Sequence, residues 1–384
     1  MLDVSPRTSA LILFALSIAS FAIGTGEFAV MGVLPQIAST FDIEITRAGH
    51  LVSSYALGVV VGAPVLAVVC ARFPRDRVLV ALSCAIVAGN TASALAPSYP
   101  SLLVLRFITG LPHGTFFGVA ALVAAELVGR ERRAQAVGRV MVGLTIASIV
   151  GTPIATVIGQ HASWRIAYGM IAVLAGIAAI MLQVNAPRIE VDRTAHPLRE
   201  LHALRRPLVW LTLGIGAVGF GGLFATYTYI APIITSYAKA SPTLVPVTVA
   251  LIGCGMFTGN LVGGKLADRS LTKTIVGALV WNVVIGIAFS LGAGIPALAL
   301  PLAFGLGGGF VLVPALQTRL MDVAGDAQTL AASLNHSAFN VANALGAWFG
   351  GLAVHQFDWN ATGWVGSAMA VAGLLLFAIA SRSR

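Results

Sequence analysis

The sequence predicts an all-α polytopic membrane protein with twelve transmembrane helices arranged as two pseudo-symmetric six-helix bundles. Three observations carry that prediction. Of 384 residues, 58% are hydrophobic and only 10% charged, against about 25% charged in soluble domains, and the mean hydropathy is +0.91. Twelve apolar runs are long enough, at roughly 20 residues each, to cross a ~30 Å hydrocarbon core as helices. And the chain repeats itself on either side of one long polar stretch.

In order, the runs cover residues 10–34, 48–70, 78–97, 102–127, 136–159 and 165–184, then 208–231, 244–266, 274–292, 296–320, 328–354 and 361–380. Between the sixth and seventh lies the polar stretch Asn185 to Pro207, rich in Arg, Glu, Asp, His and Pro. It reads as a linker, dividing the chain into a bundle over 1–184, the linker over 185–207 and a second bundle over 208–384. The first run is too long for a signal peptide and has no small-residue cleavage site, so it reads as helix one.

Charge placement sets the expected orientation. Nineteen of the 23 Lys and Arg residues fall at the N-terminus, in the 72–77, 130–139, 265–273 and 319–327 loops, in the linker or at the C-terminus. Only Arg47, Arg165 and Lys239 lie on the other side, and Arg106 lies inside span four. The positive-inside rule then puts both termini and the linker in the cytoplasm. The same rule accounts for the net charge of +9 without a nucleic-acid partner; the partner expected around the spans is the lipid bilayer. Cys70, Cys84 and Cys254 show no paired or Cys-x-x-Cys spacing, so neither a disulfide nor a metal site is expected. No cofactor is expected either. The GNLVGGKL stretch at 259–266 has phosphate-loop spacing, but Leu266 replaces the Ser or Thr that would hold magnesium. GIGAVG at 214–219 fits a dinucleotide glycine pattern yet lies inside span seven. No nucleophile–base pair suggests an enzyme.

The repeat is visible at a shift of 197 residues, which carries Pro35, Gly58, Gly62 and Arg72 onto Pro232, Gly255, Gly259 and Arg269. A shift of 195 carries Gly110, Gly114, Gly151 and Trp164 onto Gly305, Gly309, Gly346 and Trp359. Six spans return the chain to its starting side, so the halves are parallel repeats, an architecture that places substrate between them near the midplane.

Polar residues inside the spans are the functional candidates, because a carboxylate near mid-membrane costs roughly 2.5–3.5 kcal/mol on insertion scales and needs a partner, water or a task. Glu27 lies about seven residues, roughly 10 Å, from the outer end of span one. Arg106 in span four is expected at similar depth, where pairing would offset both desolvation costs. His113 follows on the same face, deeper. Two readings of this group stay open: a proton-exchanging site, or a fixed Glu27–Arg106 pair that only orients helices, with His113 a packing residue. Glu126, beside a basic loop, reads as a loop charge partner, and Gln317 and Arg319 as interfacial. In span seven, Phe220, Phe224 and Tyr227 share one face by steps of four and three, with Tyr229 close by; they could stack on flat or cationic substrates or simply pack. In span eleven Asn335, His336, Asn340 and Asn343 make a polar stripe, the last three at i, i+4, i+7, suited to substrate contact or to interhelical hydrogen bonds. Gly143, Gly151 and Gly159 in span five recur every eight residues and would admit another helix closely, and Pro153 would bend that span.

Several stretches resemble a known family. GAPVLAVVCARFPRDRVLV in the 2–3 loop and GNLVGGKLADRSLTKTIVG in the 8–9 loop resemble the signature loops of the major facilitator superfamily. The second copy carries Gly259, Gly263, Asp268, Arg269 and Lys273. The first carries Gly62 and Arg72 but departs from the pattern, with Ala71 where the family has Asp and Pro74 where Gly is usual. GTGEFAVMGVLPQIASTF in span one, LRFITGLPHG in span four and GLTIASIVGTPIATVIG in span five are similar to twelve-span drug:proton antiporters, in particular bacterial sugar/arabinose and chloramphenicol exporters. In span five Thr152 separates Gly151 from Pro153.

The resemblance implies the major facilitator fold and a proton-coupled exporter of small organic molecules, drugs or sugar-like metabolites. It would sit in a bacterial inner membrane, work as a monomer and alternate access between the halves. On that reading Glu27 carries the proton, Arg106 tunes it, His113 relays it or meets substrate, and the span-five glycines seal the bundle against leak. A proton-coupled importer on the same fold is the alternative; a non-transporting membrane receptor fits the repeat and the buried Glu27 less well.

Overall fold

In the computed structural model the chain is described over residues 5–70, 72–128, 133–186, 205–324 and 328–382. Among these residues twelve long helices run back and forth and no strand occurs. They are α1 Pro6–Gly32, α2 His50–Cys70, α3 Arg75–Ala94, α4 Tyr99–Val128, α5 Arg139–His161, α6 Trp164–Asn185, α7 Pro207–Tyr227, α8 Leu244–Arg269, α9 Leu271–Gly292, α10 Pro296–Ala324, α11 Gln328–Gln356 and α12 Ala361–Arg382. Eleven of them are apolar enough to cross a membrane by composition alone. The exception, α11, carries the Asn335–Asn343 polar stripe, yet its 29 residues reach ~44 Å at 1.5 Å per residue. Most of the linker expected over 185–207 falls at 187–204, outside the described residues.

Local chemistry explains where the helices begin. Pro6, Pro207 and Pro296 stand in first turns, where the missing N–H costs nothing. The Ser5 hydroxyl accepts from the Thr8 N–H at 3.1 Å, and Ser163 caps α6 by accepting from the Arg165 N–H at 3.2 Å, each satisfying one orphan donor. Outward faces carry exposed Val173, Ile180, Leu291 and Leu375, as lipid-facing helix surfaces must.

In the first half α2 packs on α4, α3 on α6, and α1 on α5 and α6; in the second α8 packs on α10, α9 on α12, and α7 on α11 and α12. The halves meet chiefly where α2 lies against α11 and α5 against α8. We call the end bearing the chain termini the near end and the other the far end. The cross-half contacts at the far end include the Ser53 hydroxyl donating to the Ala344 carbonyl at 3.1 Å and the Gln160 amide donating to the Pro242 carbonyl at 3.0 Å. His50 lies 6.3 Å from the Trp348 ring, centroid to centroid.

The repeat recurs as geometry. A Cβ on Gly58 would strike the Phe107 carbonyl, one on Gly62 the Leu111 carbonyl and one on Gly110 the Tyr55 carbonyl. Shifted by 197, Gly255 faces Phe304, Gly259 faces Gly308 and Gly307 faces Ile252, in each case a carbonyl. The structural counterpart of Gly110 is therefore Gly307, and the pairing of Gly110 with Gly305 read from the sequence is corrected: one shift serves both helices of the pair. The same shift relates the only two non-glycine residues with positive φ among those described, Asp42 and Lys239, both at 51°. Both close a turn at the far end in the left-handed region that non-glycine residues rarely enter.

Candidate functional site

The polar residues singled out in the spans converge where the halves meet, held there by α1. That helix is docked on α5 along its length. Gly143 lies on the Ser17 carbonyl, Gly151 on the side chains of Thr25 and Phe21, and Gly159 on Val33. The contacts step by eight residues on both helices, so the three glycines of α5 seat the helix that carries Glu27. A π-helical turn at Ala147–Gly151 interrupts α5, just ahead of Pro153, and its Ser148 carbonyl abuts Gly253 of α8. Such turns insert an extra residue into the helical ladder.

Glu27 is 7% exposed and faces the other half. Its Oε1 accepts a hydrogen bond from the Asn343 side-chain amide of α11 at 3.3 Å. Its neighbour Phe28 stacks on Tyr227 of α7 at 5.9 Å, so two adjacent residues of α1 each grip the opposite half.

Arg106 departs from expectation. Its guanidinium is fully buried, makes no ion pair among the described residues and has no hydrogen-bond partner on any of its three nitrogens. It lies instead 4.2 Å over the Tyr55 ring and 5.5 Å from that of Tyr168. The predicted direct Glu27–Arg106 pair is thus replaced by aromatic faces, whose quadrupoles stabilise a desolvated cation by about 2 kcal/mol or more. Glu27 remains in electrostatic reach of Arg106 without touching it.

His113 hydrogen-bonds through Nδ1 to the Tyr55 hydroxyl at 3.0 Å, and its ring lies 5.2 Å from Phe117. Phe117 in turn stacks on His336 across the halves at 6.0 Å with the rings nearly parallel. One tyrosine therefore joins Arg106 and His113, and one phenylalanine joins His113 and His336.

The other predicted residues separate. Phe220 sits edge-to-face with Phe224, Phe310 and Phe339 at 4.8–5.7 Å, so its ring is occupied by packing within the second half. Tyr227 faces Phe28 instead. Asn340 donates back to the His336 carbonyl at 3.0 Å, a bond along its own helix. Glu126 pairs with Arg75, as a loop charge partner should. Arg319, five residues from the near end of α10, is buried against protein: it is 2% exposed, with its guanidinium 4.9 Å over the Phe377 ring. Of the loop-motif residues, Gly62 and Gly259 pack against carbonyls, whereas Arg72, Asp268, Arg269 and Lys273 are exposed at the near end.

Comparison with known proteins decides the family. The profile of the Major Facilitator Superfamily matches residues 16–332. The chain belongs to the Major Facilitator Superfamily. Among its relatives, the inner membrane transport protein YdhP of Escherichia coli K12 is 38% identical over 379 residues, covering 97% of this chain and 96% of that one. A chloramphenicol resistance protein of Streptomyces lividans is 33% identical over 339 residues, covering 87% and 86%. The crystal structure of a D-xylose-proton symporter, 17% identical, superposes with a TM-score of 0.75 over 96% of this chain and 97% of that one, a likeness of fold. As a major facilitator the chain is a multi-pass membrane transporter and not an enzyme.

Sequence reasoning missed Tyr55, Tyr168 and Phe117, which organise Arg106 and the histidines. Tyr55 and Phe117 each sit in an apolar run where an aromatic residue raises no signal, and Arg106 was read with Glu27 as its partner, so no aromatic face was sought for it.

Proposed function

We propose that this transporter exports small organic molecules, drugs or sugar-like metabolites, across the bacterial inner membrane in exchange for protons, with Glu27 as the proton carrier. The observation that carries the reading is Glu27 itself: a carboxylate 7% exposed, inside a membrane span, at the seam between the halves and paired with no cation among the described residues. Such a group can gain and lose a proton with less penalty than one locked in an ion pair. Alternating access follows from the paired halves, with bundles over 1–184 and 208–384, both termini and the linker in the cytoplasm, and a monomer as the working unit. The kinship with YdhP and with a chloramphenicol resistance protein supports the inner-membrane location and the export of a drug-like molecule. His113, His336, Asn340 and the Phe224–Tyr227 face are proposed to line the substrate path. Arg106 is proposed to bias the charge state of Glu27, and the α5 glycines to seal the seam.

The test is substrate-triggered proton movement in inside-out vesicles, followed with a pH-quenched dye as drugs and sugars are added, for wild type and Glu27→Gln. Loss of the substrate-dependent signal in the variant is expected. A signal that survives Glu27→Gln moves the proton to another group and leaves Glu27 a structural residue.

A further inference from the structure

We infer that Asn343 is a positioning residue that couples the protonation of Glu27 to closure of the far end, an inference resting on the proposed role of Glu27 as proton carrier. The amide and the carboxyl meet across the seam, Asn343 Nδ2 donating to Glu27 Oε1 at 3.3 Å. Asn343 is 1% exposed, and its Oδ1 has no hydrogen-bond partner. A buried acceptor left open costs free energy, so the geometry favours whatever fills it.

A proton on Glu27 fills it. A primary amide and a neutral carboxylic acid can share two hydrogen bonds in one ring, N–H to the carboxyl oxygen and carboxyl O–H to the amide oxygen. An ionised carboxylate has no proton to give, so the ring opens to a single charge-assisted bond that leaves the Asn343 Oδ1 open again, and the sign is then set by that open acceptor together with the pull of Arg106. The ionised form is also the only one that Arg106 attracts, and the Arg106 nitrogens have no partner to release. Protonation therefore draws Glu27 toward α11 and the second half, and ionisation draws it back toward α4 and its own half. The proton comes from water and returns to water.

Other neighbours do not reverse this sign. The charged and titratable groups in electrostatic reach of Glu27 are Arg106 of α4, Tyr55 of α2 and Tyr227 of α7, with Tyr168 of α6 beside Arg106. The α3 helix presents the neutral Asn90 beside Gly26, and α5 presents Leu144 and Ala147 around Gly24. Arg106 is the one cation in that set.

The closure in question is visible one turn away. Asn343 is followed by Ala344, whose carbonyl accepts from Ser53, and then by Trp348 against His50. A residue that fixes α11 against α1 at Asn343 fixes that seam. For an exporter driven by proton entry this gives the required order: a proton taken up with the far end open closes it.

The experiment is pulsed electron-spin distance measurement between labels at Leu95→Cys and Phe357→Cys. These sites are 74% and 79% exposed, at the far end of opposite halves. Cys70, Cys84 and Cys254 are first replaced by Ser, and distances are taken across a pH series in lipid nanodiscs. Wild type is expected to hold a short distance at low pH and shift to a longer one as pH rises. Asn343→Ala should lower the closed-to-open ratio at low pH by about tenfold, the loss of a hydrogen bond to a carboxyl group. Glu27→Gln, which keeps an amide partner for Asn343 and offers Arg106 no charge, should stay short at every pH; its near-isosteric side chain guards against simple misfolding. A wild-type distance that ignores pH, or an Asn343→Ala response like that of wild type, overturns the inference. Substrate-driven proton flux measured on the same wild-type preparation separates the failures. Flux present with Asn343→Ala silent sinks this role alone, whereas flux absent in wild type sinks the antiport reading and this role with it.

Discussion

Tyr55 offers a quantitative test of how this bundle tolerates Arg106. The guanidinium is fully buried, has no hydrogen-bond partner, and lies 4.2 Å over the Tyr55 ring. Removing the Tyr55 ring forfeits about 2 kcal/mol of cation–ring attraction in a desolvated site, on top of about 1 kcal/mol or more for the packing lost when a buried aromatic side chain is cut back. Tyr55→Leu should therefore destabilise the protein by at least 3 kcal/mol. Tyr55→Phe keeps the ring face and loses only the 3.0 Å hydroxyl bond to His113, about 1 kcal/mol. The decisive comparison repeats Tyr55→Leu in an Arg106→Met background, where no cation remains to be stranded and the cost should drop by about 2 kcal/mol, leaving the packing loss. Equilibrium unfolding of purified protein in mixed micelles, read by the fluorescence of its six tryptophans, measures each cost. Equal costs of Tyr55→Leu in the two backgrounds would show that the ring is mere filler and that Arg106 is stabilised by something else.

The docking of α1 on α5 predicts that Gly151→Val, whose side chain would strike Thr25 and Phe21, costs about 1–3 kcal/mol by overpacking and abolishes transport by displacing Glu27. Gly169→Ala, with nothing within 4 Å of the new carbon, should leave thermal stability and transport unchanged in the same assays. Gly58→Leu and Gly255→Leu, which meet equivalent carbonyls 197 residues apart, should each lower the yield of folded protein on size exclusion to a similar extent; a loss confined to one of them would mean the two joints are not equivalent.

The helical architecture was legible because apolar length alone dictates spans in lipid, and the duplication was legible because a glycine facing a carbonyl cannot be replaced cheaply. The residues of the site were legible wherever a charge or amide stood out against hydrocarbon, as Glu27, Arg106, His113 and Asn343 do. Their partnerships were not. Depth along a helix can be counted from the sequence, and that count brought Glu27 and Arg106 to one level. Azimuth, which decides that Asn343 meets Glu27 while Tyr55 meets Arg106, depends on how twelve helices pack. The burial of Arg319 escaped for the same reason: its depth near a span end can be counted, but the Phe377 ring that covers it comes from another helix.

The paired glycine joints bear on where flexibility can reside. At Gly58, Gly62 and Gly110, and again at Gly255, Gly259 and Gly307, backbone lies directly on backbone, with no side chain between to rearrange. Such joints have no alternative rotamers and no slack, so α2 with α4, and α8 with α10, behave as fused two-helix beams. One interruption of the helical ladder, the π-helical turn of α5 against Gly253, lies directly on the seam between the halves, so any motion of one beam against the other loads that turn.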